Sequence, residues 1–314
     1  MAAVNEGDEI VAATQEEKIA FLAERGYSPV TVNSGCHLYY KLHGNPEAPH
    51  KMVIISGTSS CGHYHDNFVA LLLSEPEWEN ELQICTFDPR GCGESSDPPG
   101  VYTTAGLGKD VTDLMDHLNW ERAHIIGVSL GGMIAQEVAL GAPARVVSLS
   151  LVVTSARGAG CSDMTALGTI TRNMFESDSR KKLTRTMKML FSSAALADPE
   201  SDRYHRLFAV LEERVRTVGE PNVSTVAALA QAWAATTHFI SKARLKTLVG
   251  FRIPTIVLGA SEDHLVAPTR QRALAEMLEC KLVTVQAGHA MLVEAPGDAV
   301  RAVSELMQSG TIAL

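Results

Sequence analysis

The chain has 314 residues, 46% hydrophobic and 20% charged, an ordinary globular composition with enough apolar surface to bury a sizeable core. Its formal net charge of −9 argues against nucleic acid and anionic membrane surfaces as partners. Six scattered cysteines (Cys36, Cys61, Cys85, Cys92, Cys161 and Cys280) form no Cys-x-x-Cys pair and no zinc spacing, which reads as free thiols in a reducing compartment.

The N-terminus carries Glu6, Asp8 and Glu9 where a secretory signal needs basic and then apolar residues. No stretch approaches the roughly 18 uninterrupted apolar residues of a spanning helix. A cytoplasmic protein is the default expectation. Residues 1–27 turn from polar to helical in pattern at Ile19, Phe21 and Leu22 and are read as a lead-in segment. Strand-like runs at 28–32 and 36–42 flank Asn33-Ser34-Gly35, a good hairpin turn. A short apolar strand at 52–56 runs into a small-residue loop, 57–62, and then a helix carrying Phe68, Leu71, Leu72 and Leu73. The next strand, 82–87, ends at Asp88-Pro89-Arg90-Gly91-Cys92-Gly93-Glu94-Ser95. Leu107, Val111, Leu114, Met115 and Leu118 then make one face of an amphipathic helix.

The stretch that follows organises the rest. An apolar run at 123–126 leads into Gly127-Val128-Ser129-Leu130-Gly131, and a helix-compatible stretch, 132–140, comes after it. Strand, sharp turn and helix in that order need glycine two residues before and two after the serine. They hold the hydroxyl of Ser129 above the sheet at a helix N-terminus, whose free N–H groups can stabilise a developing oxyanion.

Another apolar strand, 146–153, is followed by helical patterns without a convincing strand from about 154 to 246. Alternation resumes with strand 254–258, helix 269–278, strand 281–285 and helix 298–307. Apolar strands alternating with helices predict an α/β protein with a doubly wound, mostly parallel sheet covered on both faces. The organisation expected is a lead-in at 1–27, a first core part at 28–153, an inserted all-helical lid at 154–246 and a second core part at 247–314. The lid is expected above the carboxyl edge of the sheet, where open α/β sheets bind ligands.

A serine nucleophile needs a base, and the base needs an orienting carboxylate. The loop after strand 254–258 holds Glu262, Asp263 and His264, and the loop after strand 281–285 holds Gly288 and His289. Ser129, Asp263 and His289 thus fall on three strand ends of one sheet edge. Asp263 is preferred to Glu262 because it lies deeper in its loop, and His264 is read as a structural or rim residue. Each has a plainer reading, as a turn serine, a solvated carboxylate or a surface histidine. The oxyanion hole is assigned to the backbone N–H groups of Thr58 and Leu130, and Cys61, His63 and His65 are placed near the pocket floor.

With these residues in hand, the chain resembles the α/β-hydrolases of the single-chain, lid-bearing kind: esterases, lipase-like enzymes, enol-lactonases and C–C bond hydrolases. The resemblance covers roughly residues 28–310. It rests on the 127–131 elbow, the Asp88–Ser95 segment, the loop at Asp263, and Gly288-His289 followed by Glu294-Ala295-Pro296. The order serine, acid, histidine matches the fold. The Asp88–Ser95 segment is similar to the family's Asp-x-Arg-Gly-x-Gly-x-Ser, which implies a structural Arg90. Many relatives carry His-Gly before the oxyanion residue, whereas this chain has Ser56-Gly57-Thr58. Relatives that use an elbow aspartate, the haloalkane dehalogenases and epoxide hydrolases, are disfavoured by Ser129.

The resemblance implies a serine hydrolase acting by two-step acyl transfer on a small to medium, largely apolar carboxylic ester, without metal or organic cofactor. Its alternatives are a C–C bond hydrolase or enol-lactonase with the same triad, and a small-molecule receptor on the same fold. The lid offers Met174, Phe175, Met187, Leu190, Phe191, Leu207, Phe208 and Trp233 to its own packing or to an apolar pocket. Arg180, Lys181, Lys182, Arg185 and Lys188 share a helix with Leu183, Met187, Leu190 and Phe191. This is read as a lid helix with its charged face in water, with lipid contact as the alternative.

Overall fold

Among the described residues there are eight strands: β1 (Ser28–Thr31), β2 (His37–Gly44), β3 (His50–Ile55), β4 (Leu82–Asp88), β5 (Ala123–Val128), β6 (Val146–Val152), β7 (Thr255–Ala260) and β8 (Lys281–Val285). They join one sheet in the order β1-β2-β4-β3-β5-β6-β7-β8. The pairs β1/β2 and β2/β4 are antiparallel and the other five are parallel. The computed structural model describes residues 23–24, 26–158, 172, 176–219 and 225–311, with backbone alone at 213–219, 225 and 310–311. The expected lead-in positions Ile19, Phe21 and Leu22 lie outside the described residues, as do Cys161, Met174 and Phe175.

The β1–β2 hairpin closes where Asn33-Ser34-Gly35 predicts a turn. The Val32 N–H donates to Cys36 O, and Gly35 takes a positive φ of 80° that suits glycine. The central strands are apolar along their length, and alternate side chains serve opposite faces. Val53 and Ile55 of β3, Ile125 of β5 and Val257 of β7 enter one hydrophobic cluster. Met52, Ile54, Ile126, Ile256 and Leu258 enter the other.

Helices cover both clusters. On the first side lie α2 (Thr104–His117) and α3 (Leu130–Gly141), through Leu107, Val111, Leu114, Met133 and Val138. On the second lie α1 (Asp66–Leu73) and α10 (Pro296–Thr311), through Phe68, Leu72, Val300 and Val303.

Between β6 and β7 the described residues hold α4 (Ser179–Leu190), α5 (Asp202–Gly219), α6 (Thr225–Thr237) and α7 (Lys242–Gly250), and no strand. The stem of this helical insert is pinned where the chain leaves and returns. Gly158 N–H donates to His238 O, Ile240 N–H donates to Ala156 O at 2.9 Å, and Arg157 bridges Phe239. Gly158 is required there, because a Cβ would lie 1.9 Å from Thr236 O. In α4, an Asp178 cap accepts from Lys181 N–H, and Leu183, Met187 and Leu190 bury one face. They pack with Phe191, Leu207 and Leu211 in a cluster of the insert's own. Leu265, Ala290 and Val293 of the core loops pack against the same cluster, so the apolar face of this basic helix is covered by the insert and the core together. After β7 come α8 (Pro268–Met277), α9 (Met291–Glu294) and α10. Among the described residues no helix is long and apolar enough to cross a membrane.

Candidate active site

At the C-terminal end of β5 the chain passes from strand to helix through one residue, Ser129 (φ 57°, ψ −116°). Such a conformation costs a non-glycine residue about 1–3 kcal/mol and persists only where the surroundings fix it. Four hydrogen bonds fix this one. Ser129 N–H donates to Val152 O at 2.9 Å, and Ser129 O accepts from Gly132 N–H, Met133 N–H and the Thr154 hydroxyl. The two elbow glycines have nowhere to put a side chain. A Cβ on Gly127 would stand 2.3 Å from Gly131 O, and one on Gly131 would stand 2.0 Å from Ile55 O.

The loops after β7 and β8 are tied together, since Ser261 N–H donates to Val285 O and Glu262 N–H to Ala287 O. They bring Asp263 and His289 to the serine. His289 Nε2 lies 2.9 Å from Ser129 Oγ, and its Nδ1 lies 2.9 Å from both carboxylate oxygens of Asp263. An Nδ1–H donated to the carboxylate leaves the Nε2 lone pair facing the serine hydroxyl. Asp263, with a side chain 0% exposed, is gripped from its other sides by the N–H groups of Leu265 and Val266 and by Gln271 Nε2, each at 2.8 Å.

Its sequence neighbour Glu262 does something else. It accepts from the N–H and hydroxyl of Ser193, at 2.8 and 2.6 Å, and these bonds hold its carboxyl below the usual range. The preceding serine of the insert makes a parallel contact. Buried Glu294 accepts from Ser192 N–H and from the Ser192 hydroxyl, and also from Gly288 N–H, one residue before His289. The 190–193 segment of the insert is thus fastened directly to both loops that carry Asp263 and His289.

The loop after β3 passes close to Ser129. A Cβ on Gly57 would lie 3.3 Å from Ser129 Cβ. Thr58 lines the same cavity as Ser129 and His289. Leu130 is the first residue of α3, so its N–H has no acceptor within the helix. Behind this loop Asp88 accepts from Gly62 N–H at 2.8 Å and Glu94 N–H at 3.0 Å. Burial pushes its carboxyl up to about 6 against the pull of those two donors. The Arg90 head group turns away to Asp110 and Ser34.

A cavity of about 580 Å³ opens over Ser129 and His289. Its walls are largely apolar, including Met133, Met189, Leu190, Leu211, Leu265 and Val293, and its described lining contains no lysine, arginine, aspartate or glutamate. Residues of the insert form part of that wall, among them Met189, Leu190 and Leu211. Of the described apolar candidates only Leu190 lines the cavity. Met187, Phe191 and Leu207 are buried in the insert's own cluster, and Trp233 is 56% exposed. Of the three residues expected near the floor, His65 lines the cavity and lies 3.1 Å from Ser56 Oγ, whereas Cys61 and His63 do not line it. Among the described residues, no cluster of three or more His, Cys, Asp or Glu side chains is arranged to hold a metal ion.

A mostly parallel sheet with a strained serine at a strand–helix turn, and histidine and carboxylate at the ends of later strands, defines a class. The chain belongs to it: the model of the family described as alpha/beta hydrolase fold matches residues 42–296. Relatives that span most of its length include a hydrolase and two enol-lactonases. The chain is 22% identical over 284 residues to 3-oxoadipate enol-lactonase 1 of Acinetobacter baylyi, covering 89% of this chain and 96% of that one. Among solved structures it resembles a hydrolase from Pseudomonas aeruginosa PA01, 28% identical with a TM-score of 0.72, covering 90% of this chain and 98% of the other. It also shares the fold of an enol-lactonase from Burkholderia xenovorans LB400, 22% identical with a TM-score of 0.72, over 90% of this chain and 100% of the other.

Proposed function

We propose that the chain is a serine hydrolase that acts by two-step acyl transfer on a small to medium, largely apolar carboxylic ester. The observation that carries this reading is the unbroken hydrogen-bond chain from Asp263 through His289 to Ser129, opening on an apolar cavity. His289 takes the proton of Ser129 as the oxygen attacks the ester carbonyl, and Asp263 holds the imidazole in the required tautomer. The N–H groups of Thr58 and Leu130 receive the oxyanion. His289 then protonates the leaving alcohol, and water repeats the cycle on the acyl-enzyme to release the acid. The steps draw on no metal or organic cofactor.

The helices between β6 and β7 serve as the lid, since Met189, Leu190, Leu211 and Ala232 close one side of the cavity. The scattered spacing of the six cysteines, with no Cys-x-x-Cys pair, supports a reducing, cytoplasmic compartment. A second reading, the opening of an enol-lactone by the same three residues, is favoured by the Acinetobacter relative. The uncharged lining favours a neutral substrate in either case.

The test is the intact mass after treatment with a fluorophosphonate, together with turnover of a panel of neutral esters and lactones. A single adduct is expected on the wild type and none on Ser129→Ala, with turnover lower by at least about 10⁴-fold. Turnover by Ser129→Ala near the wild-type rate overturns the reading.

A further inference from the structure

One side chain of the insert reaches the loop assigned to the oxyanion hole. Gln231 lies on the inner face of α6 and is 1% exposed. Its amide oxygen accepts from Ser59 N–H at 2.8 Å. Its amide nitrogen donates to Arg90 O at 2.8 Å and to Cys92 Sγ at 3.0 Å. All three partners belong to the core, and two core loops are joined by one residue of the insert. The approach is close because Gly91 has no side chain; a Cβ there would lie 2.6 Å from Ala227 Cβ, one turn before Gln231.

The partner that matters most is Ser59. It follows Thr58 directly and has a φ of 51°. The turn closes with Ser60 N–H on Gly57 O at 3.2 Å, so Ser59 occupies the third position of a four-residue turn. A positive φ there suits glycine; serine holds it at a cost of about 1–3 kcal/mol unless something else fixes the peptide. The hydrogen bond from Ser59 N–H to Gln231 fixes it. Rotation of the Thr58–Ser59 peptide would give Ser59 an ordinary φ, break that bond and reshape the backbone next to the Thr58 N–H.

We propose that Gln231 is a positioning residue that assembles the oxyanion hole: while α6 is docked on the core it holds the N–H side of the Thr58–Ser59 peptide, whose carbonyl accepts from the Ser60 hydroxyl. The proposal rests on the serine-hydrolase reading above. It makes lid docking and oxyanion stabilisation one event. Ala232 and Ala235 of the same helix line the cavity, so the helix that walls the cavity is also the one that sets the loop.

Gln231→Met keeps the side chain's length and removes its hydrogen bonds. Amide hydrogen exchange across residues 57–60 is compared with the wild type, alongside kcat and KM for p-nitrophenyl butyrate and inhibition by a trifluoromethyl ketone, which forms a tetrahedral oxyanion on the serine. Exchange at Ser59 should quicken. The kcat should fall about 10- to 100-fold with KM within about twofold, because a displacement of about 1 Å near a reacting centre can cost about 10²-fold. Inhibition by the ketone should weaken by the same factor as kcat/KM. Gln231→Asn, too short to reach Ser59, should repeat the pattern, with circular dichroism showing that each variant is folded. Unchanged exchange at Ser59 overturns the proposal, as does faster exchange with kcat intact or a raised KM alone. If Ser129→Ala turns over like the wild type, the serine reading fails and the oxyanion role fails with it, whatever the exchange shows.

Discussion

Replacing Asp263 by asparagine separates its role from that of every neighbouring carboxylate. One carboxylate oxygen is bound by both Leu265 and Val266 N–H groups, so the asparagine oxygen will take that position. Its NH2 group then faces Gln271 Nε2, a second donor, which cannot turn round because Gln271 Oε1 accepts from Ala260 N–H and Nε2 donates to Val266 O. Two donors meeting in a buried site should cost about 1–3 kcal/mol of stability. His289 Nδ1 lies 2.9 Å from both oxygen positions, and the NH2 at one of them weakens the Nδ1–H tautomer and favours the one with its proton on Nε2, where it blocks acceptance of the Ser129 proton. The expected loss of kcat is about 10³- to 10⁴-fold, or about 4–5.5 kcal/mol of transition-state stabilisation. Steady-state kinetics and urea unfolding measure the two effects separately. Glu262→Gln, whose target is Ser193, should keep kcat within about threefold. Asp263→Asn retaining a tenth of wild-type activity, or Glu262→Gln losing most of it, would refute the assignment.

Two further outcomes concern stability. Gly131→Ala places a Cβ 2.0 Å from the Ile55 carbonyl oxygen, a backbone atom that cannot swing aside, and should lower the unfolding free energy by about 3 kcal/mol or more; an unchanged urea midpoint would contradict the close approach. Burial holds His238 down at about 4, beside Thr104 Oγ1 at 2.9 Å. Between about pH 6.5 and 4 the unfolded chain is protonated at this residue and the folded chain is not, so stability is present above that window and lost through it, by about 3 kcal/mol in all. His238→Gln should therefore lose less stability than the wild type between pH 7 and 4.5, and parallel curves would contradict this.

The sequence was most legible where chemistry and local structure coincide. The order of strands and helices followed from apolar runs and periodicity, and the candidate serine and histidine from their place at strand ends. The preference for Asp263 over Glu262 rests on loop depth alone, because adjacent loop residues have the same neighbours in sequence. Only the fold shows that one faces His289 and the other Ser193. The contacts of Gln231, Ser192 and Ser193 were equally hidden. Their partners lie 69 to 172 residues away and carry no periodic signal. Trp233 shows the opposite failure: a large aromatic residue on an insert helix suggested an interior position, and its place on the outer side of α6 leaves it more than half exposed.

The stem of the insert has a consequence for how such a chain can diversify. The backbone leaves the sheet at β6 and rejoins it at the adjacent strand β7, with the two ends held together at Ala156–Ile240 and Gly158–His238. What lies between can lengthen or change without disturbing the register of any strand, since doubling a closed loop costs only about 0.6 kcal/mol. A transplanted insert would have to reproduce its handholds on the core, among them the Ser192 and Ser193 grips on Glu294 and Glu262, the Arg244 pair with Glu137, and the Gln231 amide on Ser59. On the proposed reading, selectivity would travel with the insert, while Ser129, Asp263 and His289 stay with the sheet.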